Sequence, residues 1–279
     1  MRHPLDRDRR FWATAKIRLL SAIVMAMLAP SSLAADIPAT ESCVPILLYH
    51  RLGKADEGLM TVTAALFAEQ MRFLQARGYH VITMGELVSA LARKGQPLPE
   101  RSVVITADDG NASIFTEMFP IIKENKLHVT LFIYPSAISN ASYALTWEQL
   151  QEMQSSGLID VQSHSYWHPD FHVEKARLAP AEYRRFVADQ FTRSKEVLER
   201  KLGRAVTMLA WPFGIHDEDL MQAALAAGYG AAVTIERRPV TRKENIMTLP
   251  RYIVTQQDSV TTFPRLLSCP PAPRVSLKQ

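Results

Sequence analysis

Two carboxylates stand side by side at the end of an apolar run, Val103-Val-Ile-Thr-Ala-Asp108-Asp109-Gly110. Neighbouring side chains of a strand point to opposite faces, but where the chain turns at Gly110 both carboxylates can enter one cleft. Carboxylates that close repel and shift each other's pKa unless a cation lies between them, so the pair asks for a metal. Further along stand two imidazoles, in His164-Ser-Tyr-Trp-His168-Pro169. On a helical turn that spacing puts both rings on one face. Two imidazoles joined by one carboxylate make the open three-ligand site of catalytic zinc, with water in the fourth position. The second carboxylate is then free to act as general base. Each signal alone is ordinary, a histidine pair on a helix or an Asp-Gly turn. Their joint appearance at the ends of apolar runs points to a site for one divalent metal ion. Zinc suits these ligands first, and cobalt, nickel or iron also fit.

The elements that must position these residues alternate along the chain. Val44–Tyr49 reads as a buried strand ending at His50. Ala64–Ala76 carries Phe67, Met71 and Leu74 at helical spacing, and Tyr79–Ile82 is a short strand. Thr83 and Glu86 form a capping box for a helix that stops at Gly95. Val103–Ala107 is a strand, and Ser113–Asn125 is a helix that Pro120 would kink. Val129–Tyr134 is a strand, and Thr146 with Gln149 caps the next helix. Leu158–Ser163 runs into His164. Pro180–Leu202 is a long helix with a solvated charged face. Val206–Trp211, Tyr229–Ile235 and Leu249–Val254 are the last strands, with helices at Asp217–Ala227 and, more weakly, Asp258–Leu267. Such alternation predicts a parallel α/β sheet, either a barrel of about seven to eight strands or a doubly wound layer. No glycine-rich phosphate loop follows the first strand, which argues against a dinucleotide fold. The polar signals all follow strands or sit in them: His50, Asp108-Asp109, His164, Pro212-Phe213-Gly214 and Arg251. Barrel active sites are built at that end of the sheet.

Composition narrows the setting. The chain has 279 residues and a formal net charge of +4. Residues 1–34 hold six basic and two acidic residues, which leaves 26 of each sign in the rest. The excess charge belongs to that segment, so there is no case for a nucleic-acid partner. The segment reads as a secretory signal peptide. A basic region ends at Arg18, an apolar run covers Leu19–Ala29, and Ser32-Leu33-Ala34 offers small residues for cleavage. The run is short for a membrane span, so no stable span is expected after cleavage; an uncleaved anchor is the other reading. The expected location is periplasmic or secreted. Residues 35–43 read as a linker, 44–268 as one domain and 269–279 as a loose tail. The chain's two cysteines are Cys43 and Cys269. In an oxidising compartment they can form a disulfide that ties the first element to the last. Two unpaired thiols are the alternative, because sequence spacing does not set the distance between them.

The motifs also carry a family resemblance. Thr106-Ala-Asp-Asp-Gly110 is similar to the T-F-D-D-G motif of the polysaccharide deacetylase family, the NodB homology domain of carbohydrate esterase family four. His164-Ser-Tyr-Trp-His168-Pro169 matches that family's H-[ST]-x-x-H-P motif, and the resemblance covers about residues 44–255. It implies a distorted (β/α) barrel and metal-dependent removal of acetyl groups from N-acetylated sugars. Carried over residue by residue, Asp109, His164 and His168 bind the metal, and Asp108 is the general base. Trp211-Pro-Phe213-Gly214 resembles the third motif, with the Phe213 backbone N–H helping to hold the oxyanion. The family's acid is usually a histidine near the C-terminus, and no histidine follows His216 here. Val44-Pro-Ile-Leu-Leu-Tyr-His50 has the shape of that missing motif, moved to the front. This order resembles the branch acting on poly-β-1,6-N-acetylglucosamine, and makes His50 the expected acid.

Several assignments stay open in sequence. The third motif often begins with an arginine that orients the base, and Ala210 stands there instead. Arg251 replaces it only if it reaches the cleft; a surface or structural salt bridge is the simpler expectation. Trp167 and Trp211 are candidates to stack on sugar rings, or are wall and core. His216 is an alternative acid or a helix cap before Asp217. Tyr134 and Trp147 read as structural. Other functions to weigh are an O-acetyl esterase or deformylase with the same site, and a degenerate carbohydrate-binding protein.

Overall fold

A computed structural model describes residues 43–92 and 97–269 of the chain. The expected signal peptide, the expected linker up to residue 42, the expected helix stop at Gly95 and the expected tail from residue 270 lie outside the described residues. Strand β1 (Ile46–Tyr49) opens the fold, and β2 (Arg51–Leu52) pairs with β3 (Thr61–Val62). Helix α1 (Ala64–Ala76), β4 (His80–Ile82), α2 (Met84–Leu91) and β5 (Ser102–Asp108) follow. Next come α3 (Phe119–Asn125), β6 (Val129–Ile133), α4 (Trp147–Ser155), β7 (Ile159–Ser163), α5 (Phe171–Arg177) and α6 (Pro180–Leu202). The chain finishes through β8 (Met208–Ala210), α7 (Glu218–Ala226), β9 (Ala231–Val233) and β10 (Tyr252–Ile253).

All strands except β2 and β3 form one eight-stranded parallel sheet in the order β10-β1-β5-β6-β7-β8-β9, with β4 also paired to β5. Tyr252 and Ile253 pair with Leu47 and Leu48 of β1, while a parallel bridge joins Leu249 to Val233 of β9. The segment from Leu249 to Ile253 therefore meets both edges and curls the sheet into the distorted (β/α) barrel that the family resemblance implies, and not the doubly wound layer that the alternation also allows. Side chains sort by parity along each strand. Leu47, Ile105, Leu131 and Leu209 join the apolar layer under the helices, while Ile46, Val104, Phe132 and Ala210 fill the barrel. Each of the Leu, Ile, Val and Phe side chains among them contributes about 1.5–3 kcal/mol when fully buried. The same parity sends Thr106 and Asp108 of β5 inward.

Local signals explain most boundaries. Both capping boxes form, at Thr83 with Glu86 and at Thr146 with Gln149. Helix α6 buries Tyr183, Val187, Phe191 and Leu198 on one stripe and turns its charges outward. Residues 113–125 depart from expectation. They form a π-helical turn, Ile114–Met118, and then α3, whose first turn holds Pro120. At that position proline's missing N–H has no partner to lose, so it starts a helix instead of kinking one. The expected helix over Asp258–Leu267 shrinks to a 3-10 stretch, Phe263–Leu267. Helix α5, capped by Asp170, is too short to show a period in sequence. No helix among the described residues is long and apolar enough to cross a membrane.

Barrel closure brings the two ends together. Cys43 and Cys269 form a disulfide with their Cα atoms 5.6 Å apart, across a sequence separation of 226. A bridge over so long a loop removes much freedom from the unfolded chain. Cys269→Ser is expected to lower the unfolding free energy by about 2–5 kcal/mol, read from urea melts. Superimposable melts for the wild type and the variant would show that the bridge carries no stability.

Candidate active site

Asp109, His164 and His168 each aim one ligand atom at a common point, and those atoms lie within 4.8 Å of one another. Asp109 Oδ1 is 3.6 Å from His164 Nε2 and 4.0 Å from His168 Nε2. The backbone explains the aim of the carboxylate. Asp109 has φ 71° and Gly110 φ 76°, so the chain leaves β5 through two left-handed residues. A Cβ at Gly110 would sit 2.9 Å from Ile133 Cδ1, so only glycine closes this turn.

The histidines meet by another route than the one expected. Ser165 and His168 both have φ 61°, so the segment is a folded-back loop and not a helical turn. Pro169 disfavours right-handed helical backbone at His168. The loop is fastened from inside. Ser165 Oγ accepts from the His168 N–H at 3.2 Å, and Gln190 Oε1 of α6 accepts from the Trp167 N–H at 3.2 Å. The Arg193 guanidinium lies 3.9 Å over the Tyr166 ring. The two imidazole centroids end up 4.5 Å apart. Asp109, Ser165, His168 and Phe213 are all non-glycine residues in left-handed backbone, a cost of order 1–3 kcal/mol each that tertiary contacts must offset.

These donors fit a divalent metal. His164 Nδ1 is 2.8 Å from the Ala210 carbonyl, which only accepts. The proton therefore sits on Nδ1 and the Nε2 lone pair faces Asp109. Burial pushes the His164 pKa down to about 3 against the pull of Asp108, and burial lowers His168 as well. Both rings are thus held neutral, as metal ligation requires. Burial pushes the Asp109 carboxyl up and the Asp108 charge adds to this, against the pull of His50. A cation at the cluster would relieve that penalty.

Arg251 is not at the surface, and its salt bridge is made inside the cleft with Asp108. It is fully buried. Its Nη1 is 2.8 Å from Asp108 Oδ1 and its Nη2 is 2.7 Å from Asp108 Oδ2, a two-pronged pair. Nε donates to the Thr234 carbonyl at 2.9 Å, and the guanidinium lies 5.3 Å over the Phe132 ring. Arg251 reaches the barrel interior because its segment is the one that meets both sheet edges. Burial alone would raise the Asp108 pKa; the Arg251 charge, helped by His164, outweighs it and holds the carboxyl below the usual range. Asp108 is therefore an oriented carboxylate, with Oδ2 3.7 Å from His164 Nε2. Ala210, where the family often has its arginine, supplies the carbonyl that orients His164.

The remaining candidates divide between cleft and core. His50 follows β1, and its buried Nδ1 has no hydrogen-bond partner among the described residues. Burial lowers its pKa while Asp108 and Asp109 pull it up, so it lies within electrostatic reach of both. Phe213 is 57% exposed, with its ring centroid 4.5 Å from that of His168. Trp167 is 42% exposed at the rim. Trp211 is fully buried, and its indole N–H donates to the Met247 carbonyl at 2.8 Å. It is core wall, so the sugar-stacking reading fails for this residue. His216 does not cap α7; its Nδ1 is 2.9 Å from the Gly214 carbonyl, and Asp217 is the cap. Tyr134, read as structural, sits against the cluster with its ring 5.6 Å from that of His168. Its position one residue past β6, beside His164 in the β6–β7 register, is the signal that would have found it.

Comparison with known proteins agrees with this geometry. The polysaccharide deacetylase family model matches residues 95–232, a span that contains both carboxylates and both histidines. Two relatives named poly-beta-1,6-N-acetyl-D-glucosamine N-deacetylase are each 25% identical. The Staphylococcus aureus protein is matched over 68% of this chain and 67% of its own length. The Escherichia coli protein is matched over 65% of this chain and 32% of its own length, so this chain spans about a third of it. The solved structure of IcaB from Ammonifex degensii superposes with a TM-score of 0.71 at 25% identity, covering 82% of this chain and 98% of that one. Sequence match, curled parallel sheet and clustered motif residues agree: the chain belongs to the polysaccharide deacetylase family.

Proposed function

We propose that the protein is an exported, metal-dependent N-deacetylase that hydrolyses the acetamide of an N-acetylglucosamine polymer to acetate and a free amine. The observation that carries this reading is the arginine-clamped Asp108 carboxylate beside the Asp109–His164–His168 cluster. A divalent ion held by those three residues, zinc before cobalt, nickel or iron, would polarise the carbonyl and acidify water. Asp108 accepts the proton of the attacking water, and Arg251 keeps its oxygens aimed and ionised. The Phe213 backbone N–H is offered to the developing oxyanion from its left-handed turn. Amide nitrogen leaves badly as an anion, so an acid must protonate it. His50 fills that role, with its Nδ1 free of partners among the described residues. Exposed Trp167 and Phe213 offer apolar surface to a sugar ring. The polymer class and the export follow the names of the relatives and the leader-like N-terminus.

The direct test is acetate release from β-1,6- and β-1,4-linked N-acetylglucosamine oligomers, with zinc and after chelation. Chelator-sensitive release from one linkage is expected. Absence of release from either, with metal bound, would overturn the reading in favour of an O-acetyl ester or formamide substrate. The carbohydrate-binding alternative leaned on the missing motif arginine, and Arg251 on Asp108 removes that support. His50→Ala is expected to lower turnover on the amide by about 100-fold or more, with substrate affinity nearly unchanged. Full turnover in that variant would move the acid role elsewhere, with His216 next to examine.

A further inference from the structure

The loop between β6 and α4 joins both halves of the site. The Ser136 N–H donates to the Tyr166 carbonyl at 3.1 Å, inside the loop that carries the two histidines. The Leu145 N–H donates to the Gly110 carbonyl at 2.8 Å, beside Asp109. The Ala112 N–H donates to the Tyr143 carbonyl at 2.8 Å, and Asn111 and Ala144 pair as an antiparallel bridge. This fastened loop carries two tyrosines, Tyr134 and Tyr143. Their hydroxyl oxygens are 2.7 Å apart. Tyr134 lies with its ring 5.6 Å from that of His168 and 6.4 Å from that of His164, and Tyr143 is 49% exposed. The proposed chemistry uses neither residue.

Of two phenols in contact, one O–H donates to the other oxygen, so the second O–H and several lone pairs stay available to a third group. A pair kept only for stability would have little reason to sit at the mouth with one member half exposed. The backbone around Tyr143 is fastened to the turn after Asp109, so the hydroxyl is held in place before anything binds, which reduces the ordering cost of binding. The His168 ring lies against those of Tyr134 and Phe213, at 5.6 and 4.5 Å between centroids. The opening thus has apolar ring surface and one neutral polar edge. A pyranose has the matching character, with apolar C–H faces and hydroxyls around its rim.

We infer that Tyr134 and Tyr143 form a sugar-positioning clasp. The Tyr143 hydroxyl, backed by that of Tyr134, hydrogen-bonds a hydroxyl of the pyranose bearing the acetamide and so aims the acetamide at the Asp109–His164–His168 cluster. The clasp makes and breaks no covalent bond, and it rests on the N-deacetylase reading above.

The test uses Tyr143→Phe and Tyr134→Phe, which keep both rings. Three quantities are read: kcat and KM for acetate release from N-acetylglucosamine oligomers, hydrolysis of 4-nitrophenyl acetate, and zinc affinity by calorimetry. Tyr143→Phe is expected to lose about 10- to 100-fold in kcat/KM on oligomers, the scale of a hydrogen bond to a buried or fixed group. The ester rate and zinc affinity are expected to stay within about twofold, since neither involves the sugar hydroxyl lost to Tyr143. The double variant is expected to cost little more than Tyr143→Phe, because the two hydroxyls act as one unit. Oligomer kinetics equal to wild type would overturn the clasp and leave the N-deacetylase reading standing. Equal losses on oligomer and ester would also overturn it, by showing that the pair acts through the metal cluster. A wild-type protein that cleaves the ester but no oligomer would overturn the N-deacetylase reading itself, and the clasp with it.

Discussion

Asp108→Asn is expected to lower turnover on an N-acetylated sugar by about 10³–10⁴-fold, the upper range for removal of a general base. Metal affinity is expected to change little, because Asp109, His164 and His168 supply the ligand cluster. The amide keeps the shape of the carboxylate but cannot accept the proton of the attacking water. The variant also leaves the Arg251 guanidinium buried beside a neutral group, so thermal stability should be read alongside activity. Zinc titration, circular dichroism and acetate release on one preparation separate these effects. A folded, metal-loaded Asp108→Asn protein with near wild-type turnover would remove Asp108 from the base role.

Arg251→Met should do two things at once. Truncating one partner of a buried ion pair strands the other charge, at a cost of about 3–5 kcal/mol. It also frees the Asp108 carboxylate to rotate and lets burial raise its pKa, so activity at neutral pH should fall by about 100-fold. The pH dependence has a definite sign. The folded-state Asp108 pKa is depressed, with the pull of Arg251 and His164 outweighing burial. The pair's contribution is therefore fully present above the ordinary aspartate pKa of about 3.9 and is lost as the pH falls through the lower folded value. The gap in stability between wild type and variant should be widest near neutrality and narrow in acid. Urea melts at several pH values measure it. A gap that is flat with pH would mean that Arg251 stabilises by packing on Phe132 and by its bond to Thr234, and not through Asp108.

The two halves of the site were legible in sequence to different degrees. Asp108 and Asp109 end an apolar strand before a glycine, and both the strand and the left-handed turn are there. His164 and His168 are recognisable as a pair, but they meet in a folded-back loop and not on a helical turn. Their approach depends on a loop fastened by Gln190 and Ser165. Trp211 looked equally suited to sugar and to core. Its strand parity and the Met247 carbonyl waiting for its indole settle it as core.

By itself the sequence determined what near neighbours control. The alternation of apolar runs and amphipathic helices, two capping boxes, the turn at Gly110 and the polar residues that follow strands all depend on a few adjacent side chains. These are enough to predict a parallel α/β sheet and to list most of the site; the choice of a barrel over a doubly wound layer came from the family motifs. The tertiary structure alone decided which distant groups meet. Arg251 and Asp108 are separated by 143 positions in the chain, and their contact exists because the Leu249–Ile253 segment closes the sheet in one register. A slip of one residue would turn Arg251 away from the barrel interior. The same holds for Tyr134 beside the histidines and for the Cys43–Cys269 bridge. No local pattern encodes such pairings, because they arise from how strands register and how the sheet curls.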